Sequence, residues 1–108
     1  TFWVGKVALM YVSDYGYAAS EKCSQTLYYY NDTTCTNNNW LFGKNSKWVL
    51  AHYAESSSSV YFVSKTGGVG GNIVYVIDSG VHPTLYLTSS VKITGGTGTS
   101  SDPYTLGL

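Results

Sequence analysis

The apolar positions of this chain fall in short runs separated by Gly, Ser, Thr and Asn, the pattern of strands joined by turns. Phe2 to Val12 reads as an extended segment. Within it Val7, Leu9 and Tyr11 alternate with Ala8, Met10 and Val12, so both faces are apolar, which predicts a central strand buried on both sides. Ser13-Asp14-Tyr15-Gly16-Tyr17 breaks that strand as a turn. Ala18 to Tyr29 has room for a short helix, with Ser20 as its N-cap and Leu27 one turn after Cys23 on the same face. Tyr30 to Asn39 reads as a polar loop, because Asn, Asp and Thr side chains compete with regular backbone hydrogen bonding. Trp40-Leu41-Phe42 then inserts an apolar plug, and Asn38–Phe42 is the other stretch that can turn helical. Lys47–Tyr53 and Val60–Val63 read as strands joined through Ser56–Ser59. Gly67–Gly71 reads as a flexible hairpin connection or a bulge, and Ile73–Ile77 as a β-branched strand. From Lys92 the tail reads as a strand, an exposed turn and a closing strand ending near Leu106.

The stretch Gly80 to Leu87 organises this pattern. Val81, Leu85 and Leu87 share one face of a strand, and the N of Pro83 has no proton to donate to a ladder. The expectation is a strand with a solvent-facing start and a buried end, Leu85-Tyr86-Leu87, closing the core against the N-terminal strand around Val7–Tyr11. The fold class predicted is α+β, with a mostly antiparallel β-sheet and one or two short helices. No repeat or linker divides the chain, so residues 1–108 are expected to form one extracellular globular domain. The start on Thr1-Phe2-Trp3 is abrupt and lacks a signal-peptide pattern, as in the C-terminal part of a longer protein.

Composition narrows the function classes. Charged residues are only 11% of the chain, against about 25% in ordinary domains, while aromatics reach 16% with 11 tyrosines. Net charge is +0, and no basic stripe is present to neutralise phosphates, which argues against nucleic acid as a partner. No apolar run is long enough to span a bilayer, so no membrane contact is expected. A surface of Tyr, Ser, Thr, Asn and Gly recurs in extracellular binding modules, and also suits a passive β-rich surface domain. Cys23 and Cys35 fit neither a zinc site nor a CxxC redox motif. A disulfide stapling the polar loop, and hence an oxidising compartment, is the expectation; two free thiols in a reducing one is the alternative. Asn31-Asp32-Thr33 has the form of a glycosylation sequon.

Candidate chemistry is sparse. The imidazoles are His52 and His82. Asp78, Ser79 and His82 name a triad, yet neighbours on a strand point to opposite faces and do not converge. Asp78 and Asp102 could offer oxygen ligands to Ca²⁺, or simply cap turns. Gly67–Gly71 lacks the Lys-Ser/Thr and helix of a phosphate loop. No catalytic residue, metal site or cofactor is assigned, and no enzyme activity is expected. The tyrosines are the better candidates, since they cannot all be buried in a domain this small. A ligand-binding face of Tyr53, Tyr61 and Tyr75 is predicted, rimmed by Ser56–Ser59 and Gly67–Gly71. In that register Tyr61 points outward and Phe62 into the core.

Three stretches also carry a family likeness. They are Trp3–Tyr11 followed by Ser13–Ala18; Cys35 with Asn38–Phe42; and Val81–Leu87 followed by Val91–Gly96 and Gly98–Leu106. Together they resemble the C-terminal globular domain of prepilin-like and surface-anchored proteins of Gram-positive gut bacteria, whose layout is in turn similar to the C-type-lectin-like and formylglycine-enzyme-like folds. The chain departs from that family at His82, where members carry Arg, and at Val12, where they carry Pro. The resemblance implies an adhesion or binding module on a bacterial cell surface. Its partner would be a glycan or a host or bacterial surface protein. The alternative it implies is a structural pilin-type subunit that packs against neighbouring pilus subunits.

Overall fold

The computed structural model describes residues 5–75, 78–98 and 101–108. Among them are seven strands: β1 (Ala8–Leu9), β2 (Lys47–His52), β3 (Ser59–Val63), β4 (Val69–Ile73), β5 (Pro83–Thr84), β6 (Lys92–Gly95) and β7 (Thr105–Gly107). Two short helices, α1 (Val12–Tyr17) and α2 (Thr33–Thr36), and a 3-10 turn at Leu27–Tyr29 complete the fold. The chain is thus α+β with antiparallel pairing in all three sheets: β1 with β5, β2-β3-β4, and β6 with β7.

The expected closure of Gly80–Leu87 on the N-terminal strand is present, with Ala8 opposite Thr84 and Leu9 opposite Pro83. Thr84 Oγ1 donates to Ala8 O at 3.2 Å. Gly80 flanks β2 as well, accepting from Trp48 N at 3.1 Å and donating to Ser46 O at 2.7 Å. The buried end is not there. Val81, Leu85, Tyr86 and Leu87 are exposed, because β5 is two residues long and the chain leaves the sheet after Thr84. The N-terminal strand is equally brief. Phe2 to Val4 lie outside the described residues, and only Ala8–Leu9 pair.

Helix α1 replaces the expected turn at Ser13–Tyr17. Asp14 Oδ2 accepts from Tyr11 N at 2.8 Å, satisfying one free donor at the helix start and setting negative charge there. Gly16 is a poor helix former, yet a Cβ there would lie 3.2 Å from the Leu27 side chain, so the gap is used for packing. Tyr15, next to it, is fully buried. Its hydroxyl donates to Gly67 O at 2.9 Å, tying α1 to the β3–β4 turn, a link worth about 0.5–1.5 kcal/mol net. Burial first, and the Tyr30 phenol second, push the Tyr15 pKa up to about 12.

The expected helix over Ala18–Tyr29 does not form. Ser20 N donates to Asn38 O at 3.0 Å and Trp40 N to Ala18 O at 3.3 Å, so this segment pairs with the end of the Asn-rich loop instead. That loop holds α2, capped by Asp32, whose carboxylate accepts from Thr34 N at 2.8 Å. The bonds from Thr34 hold the Asp32 carboxyl below its ordinary pKa. Asn38–Phe42 forms turns rather than a helix, and Trp40, expected in the plug, is exposed. The predicted disulfide joins Cys23 to Cys35, with Cα atoms 4.5 Å apart and Cys35 fully buried.

The core cluster is Met10, Tyr15, Tyr30, Cys35, Val49, Val63 and Val69, with Tyr61 and Leu27 packed against it. Its sheet face also carries Lys47, which is only 2% exposed. The Lys47 ammonium donates to Leu41 O at 2.7 Å, and burial holds its pKa below the ordinary lysine value. The predicted facing of β3 is therefore reversed. Tyr61 lies on the face of Val63 and Val69, whereas Phe62 lies opposite Trp48 on the other face, rings 6.3 Å apart. The glycine run is also strand rather than connection from Val69 onward: Gly71 pairs with Tyr61 and Gly70 with Phe62. The β3–β4 turn is Ser64–Gly68, closed by Ser64 N donating to Gly68 O at 2.8 Å. The Ile73–Ile77 run contributes only Ile73 to a described strand; Val76 and Ile77 lie outside the described residues. Among the described residues no core-cluster residue follows Val69.

Candidate functional site

Two glycines decide how the Leu27–Tyr29 turn meets the sheet. At Gly67, φ is +104°, and a Cβ would lie 2.9 Å from Tyr30 O. At Gly68 a Cβ would lie 2.8 Å from Tyr28 O. Without side chains at these positions the 3-10 turn rests directly on the β3–β4 turn. Its tyrosines thereby face those of the sheet across a cleft of about 1040 Å³.

Tyr28 and Tyr29 of the 3-10 turn, Tyr53 after β2, and Tyr61 and Phe62 of β3 line that cleft. Tyr28 and Tyr29 meet edge to face, with centroids 4.9 Å apart. Tyr53, just past β2, meets Tyr61 on β3 the same way at 5.0 Å. Gly71 forms the floor beneath Tyr53, where a Cβ would come within 2.7 Å of the ring. The Tyr53 hydroxyl donates to Glu55 Oε2 at 3.2 Å. That hydrogen bond first, and the Glu55 charge second, raise the phenol's pKa above its ordinary value. Small polar groups stand around the rings: Thr26, Asn31, Ser64 and Thr66, the last two with hydroxyls 2.8 Å apart. None of the lining residues is charged. Such an arrangement stacks apolar faces on rings and exchanges hydrogen bonds with hydroxyl or amide groups, while the Glu55 carboxylate beside it is engaged by the Tyr53 hydroxyl.

Of the three predicted ligand-binding residues, Tyr53 and Tyr61 come together here. Tyr75 is 74% exposed in the turn after β4 and does not line the cleft. Of the expected rim, the glycine run is in place as Gly68, Gly70 and Gly71, whereas Ser56–Ser59 lies outside the lining. Sequence reasoning missed the contribution of Tyr28 and Tyr29. Their signal was the run Tyr28-Tyr29-Tyr30, too dense in rings for one side of a helix to bury; the structure buries Tyr30 and exposes the other two. Asn31, the sequon asparagine, also lines the cleft and is exposed.

The remaining candidates do not assemble. No hydrogen bond joins Asp78, Ser79 and His82 among the described residues, and His82 is exposed. Asp102 closes the β6–β7 turn, its carboxylate accepting from Thr97 N at 3.0 Å, while Asp78 lines a separate groove beside Ser46. Among the described residues no three His, Cys, Asp or Glu side chains cluster as a metal site, and no helix is long and apolar enough to cross a membrane. A hollow of about 560 Å³ beside β2, lined by Leu9, Trp48, Leu50, His52 and Val60 among others, is mainly apolar. Comparison with protein families, curated proteins and solved structures finds no match. The likeness to prepilin-like domains rests on the three quoted stretches alone.

Proposed function

We propose that this chain is a non-catalytic extracellular binding module whose tyrosine cleft receives an uncharged glycan. The observation that carries the reading is the presence of two edge-to-face tyrosine pairs, Tyr28–Tyr29 and Tyr53–Tyr61, in one cleft lined by no charged residue. Pyranose rings present apolar C–H faces to aromatic planes and hydroxyls to Asn31, Ser64 and Thr66, and tyrosine loses little entropy when fixed. The disulfide suits an oxidising compartment, and a bacterial surface is where the resemblance of the three quoted stretches would put such a module. A glycan array probed with the wild-type chain and with Tyr53→Ala tests the reading. Retention of defined neutral glycans by the wild type, lost in the variant, is expected. Equal retention by both would remove the cleft from the function.

A second reading, a structural pilin-type subunit, draws on the β6–β7 hairpin. It exposes Ile93, Tyr104 and Leu106, and the apolar face could pack on another copy. Silence on the array together with concentration-dependent sedimentation, abolished by Ile93→Lys, would favour it.

A further inference from the structure

A different part of the surface combines exposed rings with an unneutralised charge. Asp14 and Tyr17 on α1, Trp40 from the turn after α2, and Tyr86 beyond β5 surround a hollow of about 300 Å³. Its floor is apolar and buried, made by Met10 and Ala18. The three rings above it are almost fully open to solvent: Tyr17 is 88%, Trp40 79% and Tyr86 78% exposed. No packing requirement accounts for three large rings in that position. The Tyr86 hydroxyl donates toward the Asp14 carboxylate, 3.4 and 3.3 Å from its two oxygens, which joins the ring to the acid at the hollow's edge. Asp14 Oδ2 also accepts from Tyr11 N. Among the described residues no Lys or His pairs with Asp14, and the chain contains no Arg.

We infer that this hollow is a site for a quaternary ammonium group, held by Tyr17, Trp40 and Tyr86 with Asp14 as its counter-charge. Aromatic faces attract cations through their quadrupoles, Trp most strongly. A trimethylammonium head has no N–H donors to satisfy and spreads its charge over apolar methyls, so it accepts a cage of rings and a buried apolar floor. A lysine-type ammonium is strongly hydrated and would lose more on entry. The carboxylate separates this site from the uncharged tyrosine cleft and selects a cation over a neutral guest of the same shape.

The test titrates the whole chain with choline at constant ionic strength, following Trp40 fluorescence, with Trp40→Phe to assign the signal. The control ligand is 3,3-dimethylbutan-1-ol, which replaces the charged nitrogen by carbon in the same shape. Saturable choline binding, roughly tenfold or more tighter than the neutral isostere, is expected; a tenfold gap is an ordinary difference for one desolvated charge contact. Asp14→Asn keeps an oxygen for Tyr11 N, and so keeps the helix start, but should remove most of that preference. Tyr86→Ala or Tyr17→Ala should each weaken choline by about two- to fivefold. Tyr53→Ala should change nothing, which distinguishes this site from the tyrosine cleft. Phosphocholine and a trimethyl-lysine peptide then separate the two sources of the head group. Absence of saturation, equal binding of the isostere, or an unchanged preference in Asp14→Asn would each overturn the assignment.

Discussion

Replacing Gly71 by Ala tests whether the cleft depends on a ring seated over a bare backbone. Gly71 lies in β4 opposite Tyr61, and its φ is not in the left-handed region, so alanine meets no backbone objection. Its Cβ would sit 2.7 Å from both Cδ2 and Cγ of Tyr53. Carbon pairs rest near 3.5–4.0 Å, so the ring must retreat by roughly 1 Å. It is free to do so: Tyr53 is half-buried, and its hydroxyl is held only by nearby Glu55. The move gives up the edge-to-face contact with Tyr61, worth about 0.5–1.5 kcal/mol. Against that, alanine in a strand interior gains about 0.5–1 kcal/mol over glycine. The two nearly cancel, so the midpoint of thermal unfolding should stay within about 5 °C, since 1 kcal/mol moves a domain of this size by about 4–8 °C. Affinity for whichever glycan the array returns should fall tenfold or more, because one wall of the cleft has moved. In a Tyr53→Ala background the same substitution should cost no further affinity, which a double-mutant cycle measures directly. Undiminished binding in Gly71→Ala, or an affinity loss that persists without Tyr53, would refute the reasoning.

The Cys23–Cys35 staple spans 12 positions, for which loop-closure entropy gives about 3 kcal/mol; the double Ser variant should lose that much in a denaturant titration, and a loss under about 1 kcal/mol would contradict the structure. Lys47 has its pKa lowered from 10.5 by burial, so the folded chain releases this proton earlier than the unfolded one. Wild-type stability relative to Lys47→Met should therefore rise as the pH climbs through the window just below 10.5 and level off above it; urea midpoints at stepped pH check the sign, and a flat difference would place the ammonium in water. Because Tyr61 shares the face of Val63 and Val69, Tyr61→Ala should destabilise at least as much as Phe62→Ala; a silent Tyr61→Ala would restore the outward register.

How much of this was legible in the sequence follows from how local each cause is. β2, β3 and the β6–β7 hairpin are written in short apolar runs between Ser and Gly turns, and the structure has them where the pattern puts them. The disulfide followed from residue type and spacing. Helix α1 was not legible, because Tyr15 and Gly16 are weak helix formers. What holds it is the Tyr15 hydroxyl on Gly67 O, 52 positions away.

The facing of β3 turned on a similar distant cause. Ranked by polarity alone, Phe62 belongs inside and Tyr61 outside. Two partners reverse that order. On one face Lys47 is buried beside Val63, its charged end reaching Leu41 O while its stem packs, so the face that reads as polar at β2 is core. On the other, Trp48 stands opposite Phe62 and shelters it without burying it. The glycines then fix the outcome for the site. Gly71 leaves room above the core face for Tyr53 to lean on Tyr61, whereas a side chain there would push it away. The same residues that read as a flexible connection are thus the floor of the cleft, and that role becomes visible only once the strand opposite them is known.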